Sequence, residues 1–306
     1  MLRYLTVALA LKLFSSCSPM KHLYRNLGNT FGNKKRLRSD IPNYYIERIN
    51  RMLSLCKQYE IIRNGDKLIE VGTGWIHWEA ITIKLFFDIE AILFDVWDNR
   101  QFGALKKYLT DLSRAIGKEI TVQPVQVGRT NNLLREILAT NSFEDLYRLL
   151  GFKYVIVSNG KFNEFKDESF DVIVSAGVLE HIRKQQLPES IKDFQRLLKP
   201  GGYSMHSINL GDHLYPYDKS VSTKNYLKFS DKVWRFCFEN EVQYFNRVQR
   251  SEWLKLFDKS GLKLINEEST YTNIGPIKIH KKYRYFDRRD LECFSLNILH
   301  RKAPFC

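Results

Sequence analysis

The chain has few cysteines and no pattern among them. Cys17, Cys56, Cys237, Cys293 and Cys306 are odd in number and widely spaced, with no C-x-x-C pair. That argues against a zinc ribbon, a dithiol redox motif and a paired disulfide scaffold, and it fits a reducing, cytoplasmic compartment. No apolar run approaches the roughly 20 residues needed to cross a bilayer. Internal repeats and low-complexity tracts are also missing, which excludes a solenoid and a disordered linker protein. No recognisable RNA-binding module is present.

What is present suffices for a large core: 306 residues, 44% hydrophobic and 13% aromatic. The net charge is +14, and almost all of it lies at the ends. Residues 1–51 carry ten Lys or Arg against two acids, and residues 277–302 carry eight against three. The centre is therefore nearly neutral, and the basic ends form a surface suited to an anionic membrane, a phosphate-bearing substrate or nucleic acid. Met1 to Phe14 superficially resembles a signal peptide, but Lys12 interrupts it. Leu2, Leu5, Leu9, Leu11 and Phe14 suit one side of an amphipathic helix, so peripheral attachment to the inner face of the membrane is the expectation.

The most telling stretch is Leu68-Ile69-Glu70-Val71-Gly72-Thr73-Gly74. A short apolar strand ends in an acid and opens into a two-glycine turn, where the backbone can bend sharply and approach a ligand closely. A dinucleotide fingerprint has a third glycine where His77 stands, which weakens a dehydrogenase reading. An acid two residues before the first glycine suits a cationic amino group instead.

Further strands are expected at Ala91–Asp95, Tyr154–Val157, Val172–Ser175, Tyr203–Ile208, Leu262–Glu267 and Cys293–Leu299. Helical stretches separate most of them. That alternation predicts an α/β fold, a mostly parallel sheet covered on both faces. Helices are expected at Asn43–Gln58, Trp75–Phe87 and Gln185–Leu198, the last stopped by Pro200-Gly201-Gly202. Residues 1–60 read as a basic helical extension and residues 61–306 as the main domain. Segments at about 97–150 and 209–248 exceed what the sheet needs and are expected over its ligand edge.

Asp95 closes the second strand about twenty residues past the turn, the spacing at which a carboxylate meets ribose hydroxyls. Ser158-Asn159-Gly160 leaves the third strand and could meet an adenine edge. With S-F-D-V-I-V-S at 169–175, V-L-E-H-I at 178–182 and L-K-P-G-G at 198–202, this ordered set resembles the class I, Rossmann-like S-adenosylmethionine-dependent methyltransferases. The likeness covers roughly residues 66–208, and it implies a seven-stranded sheet with S-adenosyl-L-methionine as cofactor. Glu70, Gly72, Thr73, Gly74, Asp95, Asn159, Gly160 and Ser175 are the residues it implies for cofactor binding. Ile76 replaces a usual glycine, and Asn159 stands where an acid is common.

A narrower set, including Ile208-Asn209-Leu210-Gly211-Asp212-His213, Tyr226 to Asp231 and Tyr244-Phe245-Asn246-Arg247, resembles a bacterial subgroup associated with surface polysaccharide biosynthesis. That resemblance implies O-methylation of a carbohydrate or glycan-related acceptor. His213 and His181 are the candidate bases, Asp212 could orient or activate a hydroxyl, and Asn246 and Arg247 could grip the acceptor. No metal site is expected, because Asp212 and His213 supply too few ligands. An RNA methyltransferase, suggested by the basic ends, and a non-catalytic binding protein on the same fold are the competing readings.

Overall fold

The computed structural model describes residues 2–120 and 124–304, so Cys306 lies outside it. The seven strands are β1 (Lys67–Val71), β2 (Glu90–Asp95), β3 (Phe152–Ile156), β4 (Phe170–Ala176), β5 (Leu198–Asn209), β6 (Leu262–Tyr271) and β7 (Cys293–Lys302). Their order in the sheet is β3-β2-β1-β4-β5-β7-β6. β1 runs parallel to β2 and β4, and β2 runs parallel to β3. β7 is reversed: Leu210 N–H donates to Phe294 O at one end, while Lys302 Nζ donates to Leu198 O at the other. The seven-stranded, mostly parallel sheet is as expected, and its antiparallel β7 is the feature not expected from the sequence.

Near-continuous burial of β1, β2 and β4 explains their apolar runs, since a parallel strand covered on both faces has no solvent side. The helices are α1 (Leu2–Phe14), α2 (Ser18–Arg38), α3 (Asn43–Tyr59), α4 (Trp78–Phe86), α5 (Phe102–Ala115), α6 (Pro124–Ala139), α7 (Phe143–Leu150), α8 (Leu187–Leu197), α9 (Asp231–Cys237), α10 (Arg250–Lys259) and α11 (Arg288–Glu292). None of the described helices is long and apolar enough to cross a membrane. The four described cysteines are all free.

Several boundaries differ from the sequence expectation by a few residues, and two of the shifts have a clear local cause. α4 begins at Trp78 rather than Trp75, because His77 takes a left-handed conformation (φ 49°) before the helix. β5 begins at Leu198, so Lys199-Pro200-Gly201-Gly202 lies in the strand. A Cβ on Gly202 would come within 2.8 Å of Asp171 O and 2.9 Å of Lys199 O, and only glycine permits that approach. The insertion at 97–150 forms three helices. α6 packs on α4 and α5, with Thr130 Oγ1 donating to Leu85 O, so it extends the helical layer. α7 is the part that reaches the glycine turn, through Tyr147 and His77.

The chain forms two compact units. One comprises the described residues up to Gly28 with Ala176–Gln195 and Met205–Arg301; the other comprises Asn29–Ser175, Arg196–Ser204 and the chain from Lys302. The expected 1–60 extension is thus divided between them. α1 belongs to the first unit's core, where Tyr4, Ala8 and Leu11 pack with Leu214, Tyr226 and Trp234. Leu2, Leu5, Leu9 and Leu13 remain exposed.

Candidate active site

In the second unit, parallel pairing sets Val71 beside Phe94 and Asp95 beside Ile156, and Glu70 lies beside Val174 of β4. The residues that end these strands therefore share one edge. Gly72 (φ 69°) and Gly74 (φ 63°) make the left-handed turn there, and Phe94 O accepts from the amides of Gly72 and Thr73 at 2.8 and 3.2 Å. The place of a Cβ on Gly74 is open, its nearest neighbour being Gly72 O at 3.8 Å. A ligand can come close to this backbone.

Asp95 is buried. Its Oδ2 accepts from Gly74 N at 2.9 Å and its Oδ1 from Val96 N at 2.7 Å. Burial raises its pKa while the amides of Gly74, Val96 and Trp97 pull it back down. Glu70 is also buried, and its Oε2 accepts from Ala80 N at 3.0 Å in the first turn of α4. Burial, reinforced by the nearby Glu79 charge, pushes the Glu70 carboxyl well above its usual range. Its oxygens support the turn from beneath. Thr73 Oγ1 bonds His77 Nδ1 at 2.7 Å, and His77 Nε2 bonds Tyr147 OH at 2.7 Å. Burial holds His77 neutral, its pKa lowered to about 3. The His77–Tyr147 brace has no signal in the sequence, since 70 residues separate the two.

Asn159 Oδ1 accepts from Lys161 N at 2.9 Å, which shapes the turn after β3, and Gly160 (φ 68°) sits against Val96. Ser175 is buried in β4. Two strand-end carboxylates, an open glycine turn and a polar turn after β3 fit a cationic, ribose-bearing cofactor. Residues 37–267 match a protein family described as a methyltransferase domain.

The chain belongs to that methyltransferase family.

It is an S-adenosyl-L-methionine-dependent methyltransferase. No match was found among curated proteins. Among solved structures it is similar to an S-adenosylmethionine-dependent methyltransferase from Methanosarcina mazei, with 12% identity, 81% of this chain and 98% of that chain covered, and a TM-score of 0.43. It is also similar to phosphoethanolamine N-methyltransferase 2 of Haemonchus contortus, with 14% identity, 83% and 52% covered, and a TM-score of 0.46.

In the methyltransferase's first unit the remaining candidates separate. Asp212 does not pair with His213. Its Oδ2 accepts from Tyr4 OH (2.7 Å) and Tyr226 N (3.0 Å), and its Oδ1 from Leu214 N (2.9 Å). With its oxygens so engaged, Asp212 is a buried clamp, its pKa raised to about 6 by desolvation. Asn246 has a similar structural occupation. Its Nδ2 donates to Leu179 O and Ile182 O at 2.9 and 3.1 Å, bracketing the short turn that carries His181. Arg247 donates to Asp231 Oδ1 at 2.9 Å and Tyr283 OH at 3.1 Å, and its guanidinium lies 4.7 Å from the Trp234 ring centre.

His181 and His213 do meet, their ring centres 5.0 Å apart. His181 Nδ1 donates to Tyr244 O at 2.6 Å, and His213 lies against Phe245 at 4.5 Å. Tyr244 and Phe245 also line a cleft of about 520 Å³ with Arg247, Tyr283, Asp231 and Lys282. Glu180, next to His181 and not singled out from the sequence, is buried beside the two rings.

Proposed function

We propose that this methyltransferase O-methylates a carbohydrate or glycan-related acceptor. The observation that carries the reading is the cleft of about 520 Å³, whose lining combines tyrosines with both signs of charge. Hydroxyl, guanidinium, ammonium and carboxylate groups offer a polyhydroxyl molecule donors and acceptors together, while the rings supply apolar contact. Arg247 borders the acceptor and Asn246 fixes the turn beneath it.

S-adenosyl-L-methionine supplies an electrophilic methyl group on a sulfonium. Gly72, Thr73 and Gly74 provide the close backbone surface for it, Asp95 the ribose contact, Asn159 and Gly160 the adenine side, and Ser175 a polar group at the edge of β4. Glu70 positions the turn through its bond to the first turn of α4. His181 and His213 act on the acceptor oxygen. Positioning accounts for most of the acceleration, because well-oriented reactants reach effective molarities on the order of 10⁵ M or more. The exposed apolar and basic residues of α1 and α2 attach the enzyme to an anionic membrane surface, convenient for a lipid-linked glycan.

The test is incubation with methyl-labelled cofactor and fractionated cell glycans, lipids and RNA. Label in a glycan or glycolipid fraction is expected. Label confined to RNA would overturn the acceptor assignment, and cofactor binding without any label transfer would overturn the catalytic one.

A further inference from the structure

The geometry points to a divalent transition-metal site formed by Glu180, His181 and His213. One donor atom from each residue lies within 4.8 Å of the other two, close enough for a single ion to draw them together. Two of these side chains are incompletely satisfied. Glu180 Oε2 and His213 Nε2 are buried and have no hydrogen-bond partner among the described residues. A buried polar atom without a partner is costly, and two in one cluster call for an occupant that satisfies both.

The surroundings orient the ligands. A carbonyl can only accept, so His181 Nδ1 donates to Tyr244 O, and Nε2 is the ring nitrogen left to bind a metal. Glu180 is fixed through Oε1, which accepts from Asn209 N at 3.1 Å, and through its carbonyl, which accepts from Asn246 N at 2.8 Å. His213 is held against Phe245. An outer shell of this kind holds ligands in place before the ion arrives.

Ligand type narrows the ion. Two imidazoles and one carboxylate suit Zn²⁺, Fe²⁺ or Mn²⁺ better than Mg²⁺ or Ca²⁺, which favour all-oxygen sites. Three protein ligands leave coordination positions open, the mark of a working site rather than a structural one. Those positions would take the acceptor's oxygen, a role that rests on the proposed O-methylation; the metal binding itself does not.

Full-length protein stripped with a chelator is titrated with Co²⁺, followed by visible absorption, and with Zn²⁺, followed by calorimetry. One ion per chain is expected. Glu180→Gln, His181→Ala and His213→Ala should each weaken it by at least the roughly 10–100-fold that losing an outer-shell residue costs a metal site. His22→Ala, on the exposed face of α2, should leave it unchanged. His181 is exposed, so His181→Ala is the variant least prone to misfolding. Its melting curve and S-adenosylmethionine titration should match the parent protein. Absence of stoichiometric binding, or equal binding by all three ligand variants, would overturn the site. Loss of cofactor binding in the parent protein would count against the methyltransferase reading and leave the metal result standing.

Discussion

The Asp95 carboxylate accepts the Gly74 amide at 2.9 Å, which ties the end of β2 to the glycine turn after β1. One acid thus shapes the turn proposed as the cofactor surface. Asp95→Ala removes the hydrogen bonds and the charge together, whereas Asp95→Asn retains an amide oxygen for Gly74 but loses the charge and the acceptor for the Val96 amide. A hydrogen bond to a charged group is worth about 1.5–3 kcal/mol, or roughly 10–100-fold in affinity. S-adenosylmethionine titrations should therefore show Asp95→Ala weaker than Asp95→Asn, and both weaker than the parent. Unchanged affinity in both would remove Asp95 from the site.

Tyr4 makes a second long-range connection. Its hydroxyl donates to the buried Asp212 Oδ2 across 208 residues of sequence, so α1 is held in the first unit by a polar bond as well as by packing. Tyr4→Phe keeps the ring and leaves the carboxylate one donor short. The expected loss is about 1–3 kcal/mol, read as a lower denaturation midpoint with cofactor affinity preserved. An unchanged midpoint would mean that Asp212 finds a replacement donor.

His300 should make part of the stability acid-sensitive. It is buried against Phe257, with ring centres 4.3 Å apart and planes 12° from parallel, and burial lowers its pKa to about 4. Because the folded value lies below the unfolded value of about 6.5, the unfolded chain binds more protons between those pH values. Its contribution is complete above about pH 6.5 and declines as pH falls toward 4. Phenylalanine can stack without titrating. The stability difference between His300→Phe and the parent should be flat above pH 7 and move in favour of the variant on acidification; a difference independent of pH would refute the assignment.

What the sequence revealed depended on how local the chemistry is. Glu70, Gly72 and Gly74 were legible because a strand, an acid and a turn are consecutive, and Asp95 because one crossover fixes its distance from them. Asp212 is a candidate to orient a hydroxyl because it follows β5 next to His213, but neighbouring side chains have no need to share partners. Tyr4, Leu214 and Tyr226 claim the aspartate instead. That Asn246 also brackets Leu179 and Ile182 has no local sign in the sequence. Glu180 was overlooked beside His181, since its relation to His213 exists only after the chain has folded back.

The clearest test of membrane attachment lies on α2. Leu23, Leu27 and Phe31 recur every four residues and are exposed, so they form a row along one side of the helix. Lys21, Lys34, Lys35 and Arg38 add positive charge to the same helix. An amphipathic helix of this composition binds an anionic surface by both apolar burial and charge attraction. α1 is the weaker candidate, since Tyr4, Ala8 and Leu11 are already buried in the first unit. The protein should therefore sediment with vesicles containing phosphatidylserine at low salt and be released as salt rises. A Leu27→Ser, Phe31→Ser double variant keeps every charge and removes two apolar contacts. It should sediment less at each salt concentration, whereas equal sedimentation would show that charge alone, and not this helix face, holds the protein to the vesicle.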